Sequence, residues 1–300
     1  MNRKEIAQET LSIQQEGFYV PYKTRVSIAA AQKHSEEKSE LITPEQGKEI
    51  VKSIQGRLKI EGSAAPKQDA PLGADPIGFP TSRSESTRQV ECSVANEATV
   101  RAVLDAASAG KSSVGVLNFA SAKNPGGGFL RGAMAQEESL AASSGLYSTQ
   151  LRHEEYYQAN RAFRSMMYTD HAIYSPDVVF FRDERFAFLS TPVTASVLTL
   201  PAVNFGQVLQ KGEDPEKAER VMKERMRLAL AIFAARGDRH LVLGAYGCGV
   251  FRNDPVKVAR WWRELLVEEG FGSLFDTVRF SVLDSSRNRA CIQAFEAEFA

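Results

Sequence analysis

Two apolar runs in this chain, "VGVLNFA" over 114–120 and "HLVLGAY" over 240–246, each lead straight into a glycine-rich stretch. No other feature restricts the fold as much. A continuous apolar run without a polar face reads as a strand covered on both sides, as a sheet between two helical layers requires. Glycines just beyond a strand's carboxyl end leave main-chain N–H groups open at the edge where α/β sheets take their ligands. The flanking segments agree. "NEATVRAVLDAASAG" sets Val100, Val103, Leu104 and Ala107 on one helical face and stops at Gly110. "DPEKAERVMKERMRLALAIFAARG" opens with Asp214 as N-cap and Pro215 at the first helical position, and it ends at Gly237. Further strands are predicted at 90–94, 177–181, 186–190, 195–203 and 277–283, and helices from about Ala135, from Asp254-Pro255 and from about Arg287. This alternation predicts an α/β fold, a three-layer α/β/α sandwich with a mixed sheet.

The chain before this pattern reads differently. Helices are predicted at 3–16 and 44–55, with a short strand in "TRVSI" between them. From Glu61 to Ser86 the sequence is loop-like and holds four of the twelve prolines. The predicted organisation is therefore accessory helices and a linker over 1–84, followed by the α/β domain over 85–300.

Lys+Arg and Asp+Glu both number 37, so no overall field draws the protein to DNA or to a membrane surface. A polyanionic ligand has to be held by local geometry. Cys92, Cys248 and Cys291 are isolated and suggest a reducing cytoplasm. His34, His153, His171 and His240 show no metal-ligand spacing, so no metal is expected. The amino-terminal "MNRKEIAQETLSI" lacks the apolar core of a signal peptide, and no apolar run nears the roughly 20 residues of a membrane span.

The first glycine stretch, "NPGGGFLRGAMAQEESL", places Gly126, Gly127 and Gly128 seven residues before Gln136, Glu137 and Glu138. Neither glycine segment fits the P-loop pattern or the dinucleotide fingerprint, yet two of them at strand ends point to a phosphate-bearing ligand. Adjacent carboxylates on a helix point about 100° apart, so they cannot face each other across one reacting carbon.

The string G-G-G-x7-Q-E-E over Gly126–Glu138 resembles the signature of poly(ADP-ribose) glycohydrolases. Gly244–Phe251 is similar to the diphosphate loop of that family, and "EIAQETL" is similar to the accessory helix of its microbial-type members. The resemblance implies a macrodomain-like fold from about residue 85, cleavage of ribose–ribose O-glycosidic bonds to release ADP-ribose, and no cofactor. It implies poly(ADP-ribose), ADP-ribose and ADP-ribosylated proteins as partners. It makes Glu138 the general acid and Glu137 the group that holds ribose hydroxyls, with Gln136 in support. Asn124, Gly126, Gly127 and Gly128 would line the ligand on one side, and Gly247, Cys248, Gly249, Val250 and Phe251 on the other, with the Phe251 ring on the ribose beside the scissile bond. Asn118 and Asn204 are weaker candidates. Tyr246 and Met134 depart from the family pattern, which has Trp and a basic residue there in many members. A non-catalytic ADP-ribose reader and a hydrolase of single protein-linked ADP-ribose units are the alternatives; an intact Glu138 favours an enzyme over a reader.

Overall fold

The computed structural model describes residues 2–63 and 90–299. In the amino-terminal part, helix α1 (Arg3–Glu16) is followed by strands β1 (Phe18–Tyr19) and β2 (Val26–Ser27), helix α2 (Ala29–Lys38), strand β3 (Glu40–Ile42) and helix α3 (Pro44–Ser63). The remainder runs β4 (Glu91–Ala95), α4 (Thr99–Ser108), β5 (Val114–Phe119), α5 (Gln136–Ser143), α6 (Leu146–Leu151), α7 (Glu154–Ala162), β6 (Ala172–Arg182), β7 (Phe188–Leu200), α8 (Phe205–Gln210), α9 (Pro215–Arg236), β8 (His240–Leu243), α10 (Pro255–Arg263), β9 (Thr277–Ser281) and α11 (Ala290–Phe299).

Among the described residues the main sheet has seven strands in the order β3-β6-β7-β5-β8-β9-β4. The pairs from β7 through β5, β8 and β9 to β4 are parallel, and the β3–β6 and β6–β7 pairs are antiparallel. β5 and β8 are adjacent, so both glycine stretches leave the sheet side by side at the same edge.

Alternation along β5 decides what each helix layer meets. Val114 and Val116 pack with Val100 and Val103 of α4 and Leu140 of α5, whereas Leu117 faces the core built around α9 and α10. Gly115 points to the α9 side, where a Cβ would lie 2.7 Å from the Phe233 ring. The same alternation turns Asn118 toward α5.

The amino-terminal part is built into this architecture: β3 adds an antiparallel edge strand beside β6, and Ile6 and Ala7 of α1 pack on Phe129, Ala141 and Ala142. α3 runs on to Ser63, past the predicted end at 55 and into the stretch predicted as loop. The rest of that stretch, with the predicted 84/85 boundary, lies outside the described residues.

The three strands predicted between 177 and 203 are two long ones, β6 and β7. Pro176 and Pro192 obscured them in the sequence. Pro176 sits where the register slips between Ser175 and Val178, next to Asp177 at φ +50°, and a bulge of this kind is where a sheet accepts proline. The strand predicted in "TRVSI" is confined to Val26–Ser27, β8 stops at Leu243 instead of running through "GAY", and the carboxyl-terminal helix starts at Ala290.

Candidate active site

The register of β5 against β7 pairs Asn118 with Thr199 on the face that meets α5. Asn118 Nδ2 donates to Thr199 Oγ1 at 3.1 Å and to Glu137 Oε1 at 3.1 Å. Gln150 Nε2, from α6, donates to the same Glu137 oxygen at 2.9 Å, and the Ser121 N–H donates to Glu137 Oε2 at 2.7 Å. Glu137 is 3% exposed. Burial raises its carboxyl from 4.5 to about 7, against these hydrogen bonds, and the neighbouring Glu138 charge adds to the rise.

Glu138 is clasped into the first glycine loop. The Gly128 N–H donates to its Oε1 at 2.7 Å. The Ala135 N–H donates to its Oε2 at 3.0 Å, with the third helical residue reaching back to the N-cap amide. Gly127 has φ +59°, and a Cβ there would lie 2.5 Å from Glu138 Oε1 and 3.0 Å from Glu137 Oε2. The backbone lies against both carboxylates, which only a residue without a side chain permits.

The loop's other N–H groups are also engaged. The Gly126 N–H donates to Gln150 Oε1 at 2.9 Å, the Gly127 N–H to the Asn124 carbonyl at 3.0 Å, and the Phe129 N–H to the Gly126 carbonyl at 2.9 Å. The first loop therefore holds the acids, and its amides do not face outward as a phosphate cradle. Gln136 is a tether: its amide oxygen accepts from the Phe119 N–H at 2.9 Å and its Nε2 donates to the Leu117 carbonyl at 2.8 Å, locking the first residue of α5 to the end of β5. Asn124 is exposed beside the loop.

The second loop is different. Among the described residues, the N–H groups of Gly247, Gly249, Val250 and Phe251 have no hydrogen-bond partner. Gly247 has φ +74°, where a Cβ would lie 2.5 Å from Asn253 Nδ2. Asn253 pins the loop by donating to the Val203 carbonyl at 2.8 Å and the Gly247 carbonyl at 3.0 Å. Val250 at the tip is 84% exposed. The Phe251 ring packs on Tyr168 with centroids 6.0 Å apart. Tyr246 is buried, with its ring 5.6 Å from that of Phe119, and its hydroxyl donates to the Leu200 carbonyl at 2.9 Å, so it braces the loop from below. The Cys248 thiol donates to the Tyr246 carbonyl at 3.8 Å, and the neighbouring Cys291 thiol and burial push it well above its ordinary range. A thiol held protonated is a poor nucleophile.

The structure thus gathers Asn118, Gln136, Glu137 and Glu138 around the first loop and lays Gly247–Phe251 beside it. Asn204 caps α8 by accepting from the Gln207 N–H at 3.2 Å. Gln150, Thr199 and Ser121 escaped the sequence reading, because nothing in their local pattern marks them. No group of three or more metal-ligating side chains occurs among the described residues, and no helix among them is long and apolar enough to cross a membrane.

The family model for the microbial-type PARG catalytic domain matches residues 7–183. The fold is similar to that of poly(ADP-ribose) glycohydrolase from Thermomonospora curvata, at 35% identity and a TM-score of 0.83 over 99% of each chain. A structure of the glycohydrolase from the same organism bound to the inhibitor ADP-HPD gives 33% and 0.84, again over 99% of each chain. The Deinococcus radiodurans enzyme in complex with ADP-ribose gives 39% and 0.76 over 89% of this chain and 96% of that one. No curated protein matches the chain. The chain belongs to the microbial-type poly(ADP-ribose) glycohydrolase family, glycosidases that hydrolyse poly(ADP-ribose).

Proposed function

We propose that Glu138 is the general acid that cleaves the ribose–ribose bond. One observation carries this reading: both Glu138 oxygens are fixed by main-chain amides at the lip of the glycine loop, whereas Glu137 lies deeper, anchored by Asn118, Gln150 and Ser121 with one lone pair of Oε2 left for a ligand. Each Glu138 oxygen keeps a second lone pair for a proton or a ligand hydroxyl. As the anomeric C–O bond breaks, Glu138 gives its proton to the leaving ribose oxygen, and the bonding electrons leave with that oxygen. The oxocarbenium-like centre is stabilised by the resulting carboxylate, which then takes a proton from the attacking water. Glu137 holds the ribose hydroxyls.

The unpartnered amides of Gly247, Gly249, Val250 and Phe251 bind the diphosphate, as successive main-chain N–H groups do for anions. Phe251 packs on the ribose next to the scissile bond. Asn124, beside the first loop, completes the ligand's contacts. The substrates are poly(ADP-ribose) and ADP-ribosylated proteins, and the three free cysteines support a reducing cytoplasm as the location.

The test is Glu138→Gln, assayed for ADP-ribose release from poly(ADP-ribose) and for ADP-ribose affinity. Turnover should fall by at least about 10²-fold, the lower end of general acid catalysis, with affinity within a few-fold. Near-normal turnover would remove Glu138 from this role, and a dead Glu137→Gln beside it would exchange the two assignments.

A further inference from the structure

Arg225 sits in the middle of α9 and is 1% exposed. All five of its N–H groups are used. Nε and Nη2 donate to Asp170 Oδ1 at 3.0 and 2.9 Å, Nη1 donates to the Met167 carbonyl at 2.6 Å and the Pro201 carbonyl at 3.1 Å, and Nη2 donates to the Tyr168 carbonyl at 3.3 Å. These acceptors lie on two separate segments: the link between α7 and β6, and the carboxyl end of β7.

The link carries a strained residue at its centre. Tyr168 has φ +58°, a left-handed conformation that is uncommon for a bulky side chain and persists only where its surroundings enforce it. The buried Tyr168 ring packs against Phe251. The main chain closes the same unit, with the Asn204 N–H donating to the Met166 carbonyl at 3.0 Å and the Gly206 N–H to the Phe251 carbonyl at 3.0 Å.

Stability alone does not call for an arginine here. Apolar residues of similar volume often replace a buried ion pair at no loss, and the guanidinium has to be desolvated. What an apolar side chain cannot do is hold three carbonyls from two segments in one planar fork. We propose that Arg225 is a positioning residue for catalysis: it fixes the left-handed turn at Tyr168, and through that ring the placement of Phe251. The proposal rests on the reading of Phe251 as the ring that orders the ribose.

The test is a double-mutant cycle on poly(ADP-ribose) hydrolysis between Arg225→Lys and Phe251→Ala. Lysine keeps the charge near Asp170 but has three donors on one atom and cannot span both segments. Arg225→Lys should lower kcat about tenfold with KM little changed, because small misplacements of a reacting group are costly. In the Phe251→Ala background it should change kcat less than about twofold. Asp170→Asn, at the half-exposed end of the fork, covers the case in which Arg225→Lys fails to fold; it should lower kcat about threefold, with the same loss of effect when Phe251 is absent. Factors that multiply in the double variants would reduce Arg225 to a structural role. Unchanged kcat in the folded single variants would overturn the proposal as well. If Phe251→Ala is impaired but the effects multiply, this inference alone fails. If Phe251→Ala is fully active, the reading of Phe251 fails and the inference falls with it.

Discussion

Gly127→Ala probes the site through the smallest possible change, one methyl group. Gly127 has φ +59°, and its Cβ would lie 2.5 Å from Glu138 Oε1, 3.0 Å from Glu137 Oε2 and 3.3 Å from Glu138 Cδ. A side chain in the left-handed region costs roughly 1–2 kcal/mol. Ordinary contact begins at about 3.4 Å, so the Glu138 carboxylate or the loop must retreat by about 1 Å. The bond from the Gly128 N–H to Glu138 Oε1, now 2.7 Å, is then lost or much weakened. A hydrogen bond to a charged group contributes about 1.5–3 kcal/mol, which brings the expected destabilisation to roughly 2.5–5 kcal/mol. The rate effect is separate: displacing the acid by about 1 Å should lower kcat on the order of a hundredfold. Release of ADP-ribose from poly(ADP-ribose), at a temperature where both proteins are folded, measures the second effect, and thermal melting the first. Gly237→Ala is the matched control. It also has a left-handed φ, +81°, at the end of α9, but no atom lies within 4 Å of its Cβ. It should lose about 1–2 kcal/mol of stability and no activity. A folded Gly127→Ala enzyme within threefold of the wild-type rate would refute the close approach of loop and acid.

Three further outcomes are expected. Because burial raises Glu137 from 4.5 to about 7, the native state holds a proton there that the unfolded chain releases. Its contribution is fully present below about pH 4.5 and is lost as pH rises toward 7, by about 3 kcal/mol in all. Melting temperatures of the wild type should therefore decline over that range relative to Glu137→Gln, and parallel curves would contradict the assignment. Gln150→Leu removes the acceptor of the Gly126 N–H and a donor to Glu137; it should cost about 2–4 kcal/mol and lower kcat, and a fully stable variant would show the bridge to be dispensable. Phe251→Ala should lower kcat clearly if the ring orders the ribose, whereas a loss of about 3–5 kcal/mol of stability with kcat unchanged would mark it as core.

What the sequence determined by itself is local. The apolar runs of β5 and β8 declare their burial on both faces because every residue in them except Asn118 and His240 is apolar or glycine, and Asp214, Pro215 and Gly237 mark the ends of α9 because caps act within one turn. The string from Gly126 to Glu138 was legible because the close approach of backbone to carboxylate needs glycine within a few residues of the acids. Only the tertiary structure decided which groups those residues meet. Gln150 reaches Glu137 because α6 packs over the loop, and Thr199 stands beside Asn118 because β5 and β7 pair in one register out of several. Arg225 meets Pro201 and Tyr168 because α9 crosses beneath the end of β7. Such partners are distant in the chain, and their identity depends on strand register and helix placement, which no local pattern encodes. The division of labour between the loops was settled in the same way. Both carry glycines after a strand, but α5 folds back onto the first loop, and its carboxylate at Glu138 and the Gln150 amide of α6 take up the Gly128 and Gly126 N–H groups, while four amides of the second loop remain open.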